Sequence, residues 1–217
     1  MIIEFFGISG VGKTTVAIKK IEEMSQNNQK VEWPWYDIYV KQKWLTRNIK
    51  KTFQTFAYII THLKWYIKLR KILNTFESIG ILQKFKLVVN GAFLKLNVEK
   101  CKKNTIYLFD EGIFQYIWSI YLRSNTEINK ETVKMILEHF YIPNEVIIID
   151  ANNNTIKDRL IKRNIRTEIL NSKKIMDRII INKKRLYDII NIINNDYSEI
   201  RIQRIWNDKE ERKSESS

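Results

Sequence analysis

Residues Gly7-Ile8-Ser9-Gly10-Val11-Gly12-Lys13-Thr14 fit the pattern G-x-x-x-x-G-K-[ST]. Residues of these types at this spacing bind phosphate. The glycines let backbone N–H groups turn inward around phosphate oxygens, and the lysine neutralises the terminal phosphates. The threonine hydroxyl can ligate Mg²⁺, and a following helix aims its N-terminus at the same anion. The expected nucleotide-binding set is therefore Gly7, Ser9, Gly10, Val11, Gly12, Lys13 and Thr14. Thr15 is expected to cap or pack, with a phosphate contact as the other reading.

A phosphate loop works with an acid at the end of a neighbouring strand, and Asp110-Glu111 follows the apolar run Ile106–Phe109. Asp110 is expected to hold Mg²⁺ through water, with Thr14 as the other metal residue. Glu111 is expected to accept the proton of an attacking hydroxyl. The two roles can be exchanged at this stage. Asp150 also ends an apolar run, Val146–Ile149, where a helix cap competes with catalysis. Arg159 and Arg163 lie four apart and share one face of a helix. Guanidinium groups there can stabilise a phosphoryl group in flight or stack on an adenine ring. Arg166 and Arg178 are weaker candidates, and Lys173, Lys174, Lys183 and Lys184 are expected at the surface.

These groups need strands to carry them and helices to cover the strands. Strands are predicted at Ile2–Phe6, Lys30–Trp33, Thr105–Phe109, Val146–Ile149 and Ile200–Ile205. Helices are predicted at Thr14–Asn27, Leu82–Lys100, Phe114–Leu122, Glu131–Phe140, Thr155–Arg163 and Lys174–Asn194. Phe53, Phe56, Ala57, Ile60, Leu63 and Ile67 recur at spacings of three and four, as a helix with one apolar face requires. Leu69, Ile72, Leu73, Phe76 and Ile79 continue that pattern towards Gly80. Strands alternating with helices imply a parallel sheet covered on both faces. Asn152-Asn153-Asn154 reads as a turn and helix cap.

The 217 residues carry 38 Lys+Arg and 24 Asp+Glu, a net charge of +14. Residues 41–103 hold fifteen basic and two acidic side chains, so nearly the whole excess falls in one segment. A 44% hydrophobic composition excludes whole-chain disorder. One cysteine, Cys101, excludes a disulfide framework within the chain and any multi-cysteine metal site. Two histidines, His62 and His139, argue against a histidine-rich metal site and read as ordinary helical residues. Neither a signal-like start nor an uninterrupted membrane-length apolar run is present. The expected location is the cytoplasm, with peripheral membrane contact as an extension.

With these motifs in order, the chain resembles the P-loop nucleoside and nucleotide kinases, nearest the thymidylate-kinase-like branch. The resemblance rests on Gly7–Thr14, Asp110-Glu111, Val146–Asp150 with Arg159-Leu160-x-x-Arg163, and the helix carrying Arg178. Asn207-Asp208 matches where that family places its adenine-contacting loop. The resemblance implies an α/β P-loop three-layer sandwich with a five-stranded parallel sheet of order 2-3-1-4-5. A basic helical insertion, 41–103, would stand between strands 2 and 3 on the acceptor side. One domain would span 1–217, with a flexible tail at 208–217. ATP and Mg²⁺ are the implied cofactors. Lys13 would sit on the phosphates, Arg159 near the adenine or phosphates, and Arg163 near the transferred phosphoryl group. Two departures bear on the acceptor. Asp110-Glu111-Gly112 replaces the Asp-Arg of thymidylate kinases, and Glu32-Trp33-Pro34-Trp35 replaces their Arg-Glu-Pro. Asp110-Glu111-Gly112 with Gln115 is similar to P-loop kinase-like proteins found with surface-polysaccharide biosynthesis genes.

The +13 segment and the aromatics Trp33, Trp35, Tyr36, Trp44, Phe53 and Trp65 suggest a small anionic acceptor: a nucleotide, or a nucleoside, sugar or glycan intermediate. They equally suggest contact with nucleic acid or an anionic membrane surface. The bland reading makes the aromatics core and the lysines a solvated face. The oligomeric state is left open, a homodimer included. The competing functions are an NTP-hydrolysing switch, a nucleic-acid-associated ATPase or polynucleotide 5′-kinase, and a nucleotide binder without turnover. Neither Asn129-Lys130-Glu131-Thr132 nor Asn182-Lys183-Lys184-Arg185 meets the Asn-Lys-x-Asp motif a GTPase needs.

Overall fold

The computed structural model describes residues 1–34, 44–124, 126–164 and 172–208; for 44–50, 163–164 and 172–173 it describes the backbone. Five short runs become strands: β1 (Ile2–Phe6), β2 (Val31–Glu32), β3 (Ile106–Phe109), β4 (Glu145–Asp150) and β5 (Arg201–Trp206). All pairings are parallel, in the order β2-β3-β1-β4-β5. This is the predicted sheet. The central strand β1 pairs Ile3 with Leu108 on one side and Glu145 on the other. β4 is buried along its whole length, as a β-branched run between two neighbours should be.

Eight helices lie among the described residues: α1 (Lys13–Gln26), α2 (Trp44–Thr61), α3 (Leu63–Asn74), α4 (Ile81–Glu99), α5 (Ile113–Arg123), α6 (Lys130–His139), α7 (Asn153–Asn164) and α8 (Ser172–Asp196). The core is continuous from the sheet through α5, α6 and α8 into α3 and α4. Helices α2, α3 and α4 stand between β2 and β3. There α4 packs on α5, and α3 packs on α6. Trp65 and His139 join α3 to α6: each ring nitrogen bonds the other's backbone oxygen at 3.0 Å, and the rings stack. Burial lowers the His139 pKa, and the bond to the Trp65 backbone opposes that shift.

The middle segment corrects the sequence reading in one respect. The stripe Phe53, Phe56, Ala57, Ile60, Leu63 and Ile67 is helical but faces solvent. The buried side of α2 carries Thr55 and Tyr58, and that of α3 carries Leu69 and Leu73. Thr55 satisfies its hydroxyl on Lys51 O, and Tyr58 donates to Glu99 at 2.7 Å, so polar residues could take the inner face without loss. Periodicity identifies an apolar face; the side on which the core lies is a tertiary fact.

Candidate active site at the phosphate loop

The loop after β1 turns through two left-handed glycines, Gly10 (φ 93°) and Gly12 (φ 90°). Each is also a close approach. A Cβ on Gly12 would lie 2.4 Å from Asn207 Nδ2, and one on Gly7 would lie 2.5 Å from Ile149 O in β4. The loop is thus pressed between the ends of β4 and β5, where an open parallel sheet binds its ligands. Lys13 opens α1 and donates to Gly7 O at 2.7 Å and Ile8 O at 3.3 Å. Ser9, Thr14 and Thr15 are exposed beside it. Thr15 therefore does not pack, contrary to expectation; it sits on the solvent side of the first turn.

Arg159 of α7 locks this loop. Its Nη1 reaches Val11 O at 3.1 Å and Gly10 O at 3.3 Å, and its Nη2 reaches Asn207 O at 2.9 Å. Asn207 adds a bond from Nδ2 to Val11 O at 2.8 Å. Arg159, the phosphate loop and Asn207 thus meet at one corner. Asp208 accepts from Asn152 N at 2.7 Å, tying the start of α7 to the same corner. Asn152 stands at the N-cap position of α7, its carbonyl accepting the first helical bond from Ile156 N at 2.9 Å. Arg178 is exposed on α8. The Arg163 side chain, Arg166, Trp35, Tyr36, the Trp44 side chain and residues 209–217 lie outside the described residues.

Asp110 and Glu111 follow β3 and face the loop. Both carboxyls are raised above their usual range, chiefly by dehydration, and Lys13 pulls both back down. Asp110 also accepts a hydrogen bond from Trp33 Nε1 at 3.3 Å. Glu111 reaches solvent at the mouth of the cleft although protein surrounds its carboxyl on most sides. After dehydration, the neighbouring Asp110 raises it most, and Lys51 of α2 opposes the rise. Glu111 lines a cavity of about 280 Å³ with Asn90, Gln115, Ser119 and Arg123. Gln115 Oε1 is itself buried and has no hydrogen-bond partner among the described residues. Lys51 stands over the Phe93 ring, 4.9 Å from its centroid, and bonds Asn90 Oδ1 at 3.0 Å. Among the described residues, it is a basic residue of the middle segment that acts on Glu111.

Two open readings close here, and one expectation needs correction. Trp33 is a core residue whose indole N–H serves Asp110, rather than a flat face for an acceptor. Asp150 is committed to structure: it pairs with Lys183 at 2.7 Å, accepts the Tyr187 hydroxyl, and bonds Ala151 N at 2.7 Å. Lys183 is accordingly no surface lysine. It bridges α8 to the end of β4 and also donates to Ala151 O at 2.6 Å.

Glu4 escaped the sequence reading altogether. It lies in the middle of β1, fully buried. Its Oε1 accepts the N–H groups of Phe114 at 2.8 Å and Gln115 at 3.1 Å, so it caps α5 from below. A Cβ on Gly112 would lie 2.3 Å from the Glu4 carboxyl carbon, which makes glycine necessary immediately after Glu111. Burial pushes the Glu4 pKa up to about 8. The missed signal was the charge itself: an acid inside Ile2–Phe6, four residues that otherwise read as core.

No family model matches the sequence, and neither does any curated protein. Solved structures do match. The thymidylate kinase from Ehrlichia chaffeensis superposes with a TM-score of 0.51 at 17% identity, over 97% of this chain and 89% of that one. A thymidylate kinase from Candida albicans gives 0.49 at 12% identity, over 96% and 84%. A deoxyadenosine kinase from M. mycoides gives 0.43 at 15% identity, over 97% and 92%. The likeness to the Ehrlichia structure shows that the chain shares that kinase's fold.

Proposed function

We propose that the protein is a P-loop small-molecule kinase. It transfers the terminal phosphoryl group of ATP, with Mg²⁺, to a small anionic acceptor of the nucleotide, nucleoside or sugar-intermediate class. The observation that supports this most is electrostatic. One cation, Lys13, acts on both Asp110 and Glu111, so phosphate-binding and acid–base groups share a single site at the C-terminal edge of the sheet.

The loop N–H groups and Lys13 bind the phosphates; Lys13 exchanges its carbonyl partners Gly7 and Ile8 for phosphate oxygens. Thr14 and Asp110 would hold Mg²⁺. The fit is chemical: both offer hard oxygen, and the described residues contain no cluster of three or more metal-binding side chains. Mg²⁺ suits such a set because it keeps waters and leans on substrate phosphates. When bound, it neutralises charge on the phosphate oxygens. Arg159 holds the loop in shape, and Arg163 is placed by this reading near the transferred group.

Glu111 is the base for a hydroxyl acceptor. It is the member of the acid pair that opens on the cavity, and its raised proton affinity suits the task. The acceptor oxygen forms a bond to the terminal phosphorus, the bond to the ADP oxygen breaks, and the hydroxyl proton passes to Glu111. Arg123 and Lys51 supply positive charge near the acceptor.

An acceptor screen with ATP and Mg²⁺ tests the reading, covering nucleosides, nucleotides, sugars, sugar phosphates and 5′-OH oligonucleotides. Lys13→Ala is expected to lower any transfer by about a thousandfold or more with an unchanged circular dichroism spectrum. Near-normal turnover in that variant would sink the site assignment.

A further inference from the structure

Among the described residues, half of the large apolar side chains left exposed lie between residues 53 and 85. On the nearly continuous path of α2 and α3, Phe53, Phe56, Ile60, Leu63 and Ile67 form one outward stripe; Phe53 is 76% exposed and Ile60 66%. Helix α4 widens it: Phe85 comes within 6.4 Å of Phe56 between ring centroids, and Leu82 is 78% exposed. A patch of this kind marks an interaction surface.

Its rim is cationic. On α3, helical geometry puts Lys64, Lys68 and Lys71 to one side of Leu63 and Ile67, and Arg70 to the other; all four are exposed. Lys86 flanks Phe85 on α4. The two acids of residues 41–103 are Glu77, in the turn between α3 and α4, and Glu99, which accepts from Tyr58 at 2.7 Å. A second copy of the chain meeting this face about a two-fold axis would bring lysines against lysines, with no carboxylates on the stripe to pair them. An anionic bilayer complements both features at once: acyl chains for the stripe and phosphate headgroups for the rim. No described helix is long and apolar enough to cross a membrane, so the contact lies in the interface plane.

We infer that the outer face of α2, α3 and α4 docks the protein on an anionic lipid surface. Lys51 points the other way, to Asn90 and Phe93, so the docking side of α2 and its site-facing side are opposite. The inference is independent of the kinase reading.

Flotation of the full chain with vesicles tests it, using phosphatidylcholine alone against phosphatidylcholine mixed with phosphatidylglycerol. Binding is expected on the mixed vesicles, falling as salt is added, and little on the neutral ones. Phe53→Ser with Leu82→Ser is expected to lower binding about tenfold. Lys64→Gln with Lys68→Gln and Lys71→Gln is expected to lower it roughly fivefold per lysine. Circular dichroism checks that each variant is folded. Three outcomes would overturn the proposal: no flotation with either vesicle, equal flotation with both, or binding untouched by both sets of changes. A stable dimer dispersed by Phe53→Ser with Leu82→Ser, without vesicle binding, assigns the face to a second copy instead. Lysine-dependent binding of an oligonucleotide, without vesicle binding, assigns it to nucleic acid.

Discussion

Trp33 donates its indole N–H to Asp110 Oδ1 at 3.3 Å across 77 residues of sequence. The residue just past the second strand thereby orients the acid at the end of the third. The bond stabilises the carboxylate form against the dehydration that opposes it.

Trp33→Phe keeps an aromatic ring, loses the donor and gives up part of the buried volume. Turnover is expected to fall roughly tenfold, with a small change in thermal midpoint. The acid limb of the pH–rate profile should move upward, because Asp110 loses a bond that lowers its pKa. Steady-state rates across pH, alongside a melting curve, separate this from a packing defect.

Glu4→Gln should change how stability depends on pH. The folded protein holds the Glu4 proton up to about pH 8, whereas an unfolded glutamate releases it near 4.5. The native state thus binds more protons over that interval, so Glu4 makes the wild type less stable as pH rises through it. Tyr141, packed beside Glu4, is raised well above its ordinary range and stays protonated throughout. Urea midpoints at a series of pH values should show the variant gaining on the wild type from about pH 5 to 8, and the gap levelling above. A constant gap would mean that Glu4 does not titrate there.

Arg159→Lys keeps the charge and loses the planar fork that spans Val11, Gly10 and Asn207. ATP affinity is expected to drop about tenfold, because one ammonium cannot bridge the phosphate loop and the segment after β5 together. Calorimetric titration with ATP measures it. An unaltered affinity would show that the loop keeps its shape unaided.

Lys183→Met strands Asp150, whose side chain is 12% exposed, with only the Tyr187 hydroxyl and the Ala151 N–H. The expected loss is about 3 kcal/mol of folding stability. Asp150→Asn added to it should recover part of that loss, read from denaturant midpoints.

What the sequence disclosed was local. The phosphate loop, the strand before it and the helix after it are contiguous, so spacing alone defines them. The sheet order also followed, because the motifs fall in a familiar sequence along the chain. Contacts between distant residues were hidden. Nothing in Glu32-Trp33-Pro34 says that the indole will meet Asp110, and nothing in Asp150 or Lys183 taken singly says that they will pair. Glu4 was passed over because an apolar run normally signals core, and a buried acid there makes sense only once α5 is seen starting above it. The outward stripe of α2 and α3 shows the same boundary: its period was plain and its direction was not.

The bond from Asn207 to Val11 closes a loop of 196 residues. Synthesis makes Gly7–Thr14 well before Asn207, whose bond secures its conformation. Until β5 pairs with β4 and brings Asn207 alongside, the glycines at 10 and 12 remain free to sample other turns. On the proposed reading, the capacity to grip nucleotide would arrive with the pairing of β5 on β4, so a molecule that grips would be one whose described sheet has closed.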